Sequence, residues 1–271
     1  MNVGADVSLS FRRAWLIGGQ TLRGIVRQRV LHAVIILGAL LVGGARALAD
    51  FNFGVSPEKF VADFGFGTIG LLGSGLAIAL VAHGFFSEME QRTVVTLLAK
   101  PVRHGEFIAG KLGAAVLVLV AYCALLTGLL AAVLWSQALA SGAVVNYAGV
   151  VLAGYAHALR CAVLAALTLL LCTVARSQLL ALALSLGALL ICHLQHVVQE
   201  VARRAETGWS LVGGTAAALM FPNFQVFNFE ERLATGLALS GAEVAGVTLY
   251  AVGYFLVISG LSAWSFRQRE L

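Results

Sequence analysis

Three short constellations in this chain could carry chemistry. The first is Cys192-His193-x-x-His196-x-x-x-Glu200, whose two imidazoles and one carboxylate share a face of any helix and suit a transition metal. No third histidine lies nearby in the sequence, and paired histidines at the outer end of an apolar run are ordinarily interfacial polar groups. The reading is therefore no metal site, with His193, His196 and Glu200 the only candidate ligands. The second is Gly105-x-x-x-x-Gly110-Lys111, which has the glycine and lysine spacing of a phosphate-binding loop. Leu112 stands where Ser or Thr must coordinate magnesium, and no strand precedes the glycines. It reads as a turn into an apolar run, so no catalytic residue is nominated and ATP is not hydrolysed by this chain. Cys123, Cys161, Cys172 and Cys192 all fall inside apolar runs without a C-x-x-C pair, a spacing that gives neither a disulfide framework nor a zinc site.

The third constellation is the richest. Ser87-Glu-Met-Glu90 fits a capping box, in which Ser87 caps a helix and Glu90 reaches back to its amide. A short helix is expected to start at Glu88, with its acidic residues at the positive end of the helix dipole. Val94, Leu97 and Leu98 form an apolar stripe that needs a partner, and Pro101 stops the helix.

The elements that must position these residues follow from composition. Of 271 residues, 60% are hydrophobic and 11% charged, where a soluble domain carries about 25% charged residues. A soluble enzyme and a disordered chain are both excluded. Six apolar stretches of crossing length are expected near 30–48, 67–86, 112–135, 151–174, 179–198 and 244–264. They form one membrane domain over 30–271, preceded by a 1–29 segment. In that segment Phe11, Trp15, Leu22, Ile25 and Val26 recur on one helical face opposite Arg12, Arg13, Gln20, Arg23 and Arg27, the pattern of an amphipathic helix on an anionic membrane surface. The fold class is thus all-α and polytopic, with six transmembrane helices, an N-terminal interfacial helix and a short capped cytoplasmic helix between the second and third.

The chain carries 18 Lys and Arg against 13 Asp and Glu. With the N-terminus inside, twelve of the basic residues fall on inner segments and five on outer ones, with Arg160 completing the set. Both termini are therefore expected in the cytoplasm. Ala47-Leu48-Ala49 imitates a signal-peptidase site, but the long amphipathic region before it is unlike a cleaved signal. Arg160 is placed toward the outer end of the fourth stretch, with 147–157 partly interfacial. In the long outer segment 199–243, Trp209 to Phe221 reads as an interfacial or re-entrant helix. Phe221, Phe224, Phe227 and Phe229 read as a lip at the lipid headgroups. Gly70, Gly73, Ser74 and Ala77 allow close helix approach within one subunit.

The run Glu88-x-Glu90-x-x-Thr93, Leu97-Leu98, Pro101, Gly105-Glu106-Phe107 and Gly110-Lys111 resembles the loop after span two of ABC-2 type permeases, most of all the group associated with multicopper-enzyme maturation. Gln91-Arg92 departs from the small residues frequent there. The resemblance implies that Glu88, Glu90, Thr93, Val94, Leu97, Leu98 and Pro101 couple to a separate ATPase subunit. It implies a permease of an ATP-driven exporter in the inner (plasma) membrane. Two permease chains, identical or paralogous, would sit on an ATPase dimer, with ATP and Mg held by that partner and no cofactor in this chain. Membrane lipid is the remaining partner and no nucleic acid is expected. The alternatives are an ion-coupled secondary transporter, for which the six stretches as drawn supply no carboxylate, and an intramembrane metal enzyme built on His193, His196 and Glu200.

Overall fold

A computed structural model describes residues 3–49, 56–90, 104–142, 144–204, 221–230 and 240–268. Among them are α1 (Val3–Val26), α2 (Arg29–Ala49), α3 (Pro57–Glu90), α4 (His104–Ser141), α5 (Tyr147–Val174), α6 (Gln178–Arg204), a 3₁₀ turn (Phe224–Phe227) and α7 (Gly241–Arg267), with no strand. Helices α2 to α7 are each long and apolar enough to cross a membrane, so the chain is an all-helical, multi-pass membrane protein.

Two helices are much longer than their apolar centres. α3 has 34 residues and α4 has 38, which at 1.5 Å per residue rise about 50 and 57 Å, against a hydrocarbon core of about 30 Å. Nothing in the flanking polar residues breaks the helix, so the stretches expected at 67–86 and 112–135 continue outward at both ends. α3 consequently carries Glu58 and Asp63 near its start and Glu88 and Glu90 at its end, and α4 carries Glu106 and Lys111. Carboxylates absent from the apolar windows are present on the helices.

α5 is the centre of the bundle, packed by α3, α4, α6 and α7. Small residues let its neighbours approach. A Cβ on Gly73 would lie 3.1 Å from Cys161 Sγ and 3.2 Å from the Tyr122 ring, and one on Gly70 would meet the Arg160 guanidinium. Ser74 turns its hydroxyl to the Gly70 carbonyl at 2.7 Å and Ala77 is fully buried, so this stripe serves packing inside the subunit, as expected. All four cysteines are buried thiols.

α1 lies against α4: Ile25 is buried, Ile17 and Leu22 pack on the core, and a Cβ on Gly18 would sit 3.1 Å from the Gly110 carbonyl oxygen. Trp15, Leu16 and Val26 stay exposed with Arg23 and Arg27. The expected apolar face is therefore divided. Leu22 and Ile25 turn to protein, whereas Trp15 and Val26 do not.

Two expectations are corrected by the packing. Arg160 is not near the outer end of its span. α5 starts at Tyr147, capped by Asn146 whose side chain accepts from the Gly149 amide, and Arg160 sits midway along it, about 20 Å from either end. The phenylalanines after Pro222-Asn223 are not a lip on headgroups: Phe224 and Phe227 are 2% exposed and Phe229 is 4% exposed. Packing against α6 and α7 removes them from lipid, because the segment is held by hydrogen bonds that draw it into the bundle. Gln195 Nε2 donates to the Phe221 carbonyl at 2.7 Å, and the Asn223 amide donates to Tyr250 Oη at 2.7 Å. Trp209 to Met220 of the expected interfacial helix lies outside the described residues.

Candidate functional site

The end of the bundle where α3 finishes and α4 begins is built around Lys111. Its ammonium pairs with Glu88 at 2.7 Å and donates to the Gly84 carbonyl at 2.6 Å. It lies 5.7 Å from the Phe85 ring centre and 5.1 Å from that of Phe107. Phe266, at the end of α7, stacks on Phe107 at 5.7 Å and meets Phe85 edge-on at 5.9 Å. α5 joins through Thr173 Oγ1, which donates to Ser265 Oγ at 3.0 Å. Four helices therefore end at one cation clamped between rings. A 190 Å³ cavity lies beside it, between α1 and Gly84, Ser87, Glu88 and Phe107.

The chemistry of this cluster follows from a helix end. The last turns of α3 form the negative end of its helix dipole, to which Glu88 adds a full charge. Lys111 answers both. Its charge is taken out of water, where only paired and hydrogen-bonded ions persist, and the aromatic faces supply further attraction.

This arrangement corrects the expected capping box. α3 runs unbroken through Glu90, and Ser87 Oγ donates back to the Gly84 carbonyl at 3.4 Å, so no helix starts at Glu88. The amide that Ser87 would free at a helix start is already inside a helix entered from the apolar run before it. The acidic residues sit at the negative end of α3, not at a positive end. Gly105 to Lys111 is likewise helical from His104 onward, not a turn, and Lys111 is committed to Glu88, which leaves it no role toward phosphate. Glu88 and Glu90 thus close α3, while Thr93, Val94, Leu97, Leu98 and Pro101 lie outside the described residues, between the ends of α3 and α4.

At the opposite end, His157 of α5 reaches Glu230 at 3.1 Å and stacks on Phe66 of α3 at 5.7 Å. Phe66 and Glu230 also line a 260 Å³ cavity with Glu58, Lys59, Asp63 and Asn146. One turn further in is Arg160. A charge at the centre of a crossing helix costs about 2.5–3.5 kcal/mol even on the lower scales, and no ion pair joins Arg160 to another described residue.

His193 Nδ1 donates to the Leu189 carbonyl at 3.1 Å and its ring meets Phe224 edge-on at 5.5 Å. His196 follows on the same helix, and Glu200 is exposed. Among the described residues no three His, Cys, Asp or Glu side chains converge as metal ligands.

Sequence reasoning passed over the Lys111 clamp and the His157–Glu230 pair. For the first a signal was available: a carboxylate closes one apolar run and a lysine opens the next, so both fall where two helices leave the membrane side by side. For the second there was none, since 73 positions separate the partners.

The chain matches no individual curated protein. The family model described as ABC-2 family transporter protein matches residues 15–271, which covers all six crossing helices and both polar clusters. Proteins of this kind are membrane permeases that generally work with an ATPase subunit. The chain belongs to the ABC-2 family of transporter proteins and is a transport permease of that family.

Proposed function

We propose that this permease is the membrane half of an ATP-driven exporter, with residues 88–101 as the segment on which a separate ATPase subunit docks. ATP and Mg belong to that partner, and two permease chains, identical or paralogous, sit on an ATPase dimer in the plasma membrane with both termini in the cytoplasm. The reading is supported most by the Lys111 clamp. It joins the end of α3 and the start of α4, the two helices that flank the docking segment, and ties both to α7. A push on that segment is then delivered to the bundle as a whole instead of separating two helices.

Docking energy would come from the apolar stripe, because a leucine leaving water contributes about 1.5–3 kcal/mol. Leu98→Arg replaces that gain with a charge driven into an apolar groove. The expected outcome is loss of the ATPase on purification of the complex, with insertion of the permease unchanged. If Leu98→Arg keeps a fully bound ATPase with normal hydrolysis in lipid nanodiscs, the docking segment is misassigned.

A further inference from the structure

We propose that Cys123 and Cys161, which meet across the interface of α4 and α5, are a redox-active thiol pair that a peroxide converts to an interhelix disulfide, with Arg160 as the charge that activates Cys161. This chemistry goes beyond the export reading and does not depend on it. The two side chains are in hydrogen-bond contact, and both thiols are free and buried. The interface that carries them is close-packed. A Cβ on Gly154 of α5 would run into the Thr127 side chain of α4, and Thr127 lies one turn from Cys123. α3 closes over the pair, since a Cβ on Gly73 would lie 3.1 Å from Cys161 Sγ and 3.2 Å from the ring of Tyr122, the chain neighbour of Cys123. The other thiol of α5, Cys172, is 11 residues further along that helix, a rise of about 16 Å, so it cannot substitute for Cys161.

The reactive form of a cysteine is the thiolate, which a neighbouring guanidinium favours. Arg160 precedes Cys161 on α5, and the two side chains meet α3 one turn apart, Arg160 at Gly70 and Cys161 at Gly73. The guanidinium keeps its proton, and no carboxylate among the described residues pairs with it. A thiolate on Cys161, hydrogen-bonded by the Cys123 thiol, supplies that charge with a counter-ion. Oxidation then runs in two steps. The Cys161 sulfur attacks the O–O bond of hydrogen peroxide, forming an S–O bond and releasing hydroxide, which takes up the proton lost when the thiolate formed. The Cys123 sulfur then attacks the Cys161 sulfenic acid: the S–S bond forms, the S–O bond breaks, and the oxygen leaves as water with the Cys123 proton. Two thiols and one peroxide give one disulfide and two waters. Both sulfurs are packed, so the oxidant must be of about the size of water, as hydrogen peroxide is. Ala124, next to Cys123, is exposed, so the seam between α4 and α5 reaches the surface of the bundle there. The bond ties α4 to α5, so the oxidised and reduced chains differ in how freely the two helices part.

The test is treatment of the full chain in phosphatidylcholine nanodiscs with hydrogen peroxide, without the ATPase, followed by alkylation, non-reducing digestion and mass spectrometry. A peptide linked through Cys123 and Cys161 is expected, with Cys172 and Cys192 recovered as alkylated thiols. In Cys123→Ser the reaction should stop at a sulfenic acid on Cys161, trapped by dimedone as the quenched sample is dissolved in detergent. Cys161→Ser should leave Cys123 unmodified. Arg160→Gln should slow linkage about tenfold and move its pH profile upward, a displacement that a merely structural arginine would not cause. Should Arg160→Gln not fold, the two serine variants decide the matter, since each exchanges a single sulfur for oxygen. Absence of the linked peptide, linkage spread over all four cysteines, oxidation of Cys123 in Cys161→Ser, or an unchanged rate in folded Arg160→Gln overturns the proposal. Because no ATPase is present, failure here leaves the docking segment intact, and failure of the Leu98→Arg experiment leaves this thiol pair intact.

Discussion

Removing the two partners of the Lys111–Glu88 clamp one at a time should have unequal consequences. The Lys111 side chain is 6% exposed and that of Glu88 is 27% exposed. Glu88→Gln therefore leaves a nearly buried ammonium with neutral acceptors alone, the Gly84 carbonyl and the new amide oxygen, beside two ring faces. Breaking a wholly buried pair costs about 3–5 kcal/mol. Partial exposure of Glu88 screens the pair, so we expect a cost of about 2 kcal/mol for Glu88→Gln. Lys111→Met keeps the volume of the stem between Phe85 and Phe107 and leaves a carboxylate that turns to solvent, so its cost should stay below about 1 kcal/mol. The double variant should match Lys111→Met, since no stranded charge remains in either. The assay is equilibrium unfolding of the full chain in mixed micelles of dodecyl maltoside and dodecyl sulfate. The reasoning is refuted if Lys111→Met costs as much as Glu88→Gln, or if the double variant shows the sum of the two.

Two further expectations use the same protein. Ser240→Ala should cost about 0.5–2 kcal/mol, because Ser240 and Glu243 form a complete capping box at the start of α7, whereas Ser87→Ala should change stability by less than about 0.5 kcal/mol; equal losses in the unfolding assay would contradict the α3 boundary. Reporter fusions placed after Pro101 and after Asn223 should give opposite signals, since the charge asymmetry puts the first inside and the second outside, and a shared side would remove the proposed orientation.

The two S-x-x-E sequences show what was legible and what was not. Ser87-x-x-Glu90 and Ser240-x-x-Glu243 are alike as text, yet only the second caps a helix. The difference lies in what precedes them. Ser87 follows Ala82 to Phe86, an apolar run already helical. A cap requires a residue outside the helical region, and Ser240 has that extended backbone, with ψ of 147°. Six crossing helices were readable because length and hydropathy alone decide them. Their ends were not, because polar residues leaving the membrane extend a helix as readily as they stop it. Arg160 was misplaced for the same reason: starting α5 at Val151 instead of Tyr147 moved it toward an interface. His157 and Glu230 escaped notice because their contact is made by the tertiary fold across two intervening helices' worth of chain.

The two polar clusters differ in a way that bears on how this bundle can move. Where α3 ends and α4 begins the ties are a desolvated ion pair and the ring chain Phe85–Phe266–Phe107, which join α3, α4 and α7 at one point. At the other end the 221–230 segment is held by the buried rings of Phe224, Phe227 and Phe229 and by polar contacts, Gln195 Nε2 to the Phe221 carbonyl, the Asn223 amide to Tyr250 Oη and His157 to Glu230, of which the polar ones can be replaced by water at modest cost. Load applied between α3 and α4 therefore meets the ion-paired junction first and the 221–230 end second. That junction lies on α3, whose contact with α5 at Gly70 and Gly73 is too close for the two helices to slip independently. In the export reading proposed above, that order would place the charged junction where an ATPase pushes and the water-replaceable polar contacts at the far end.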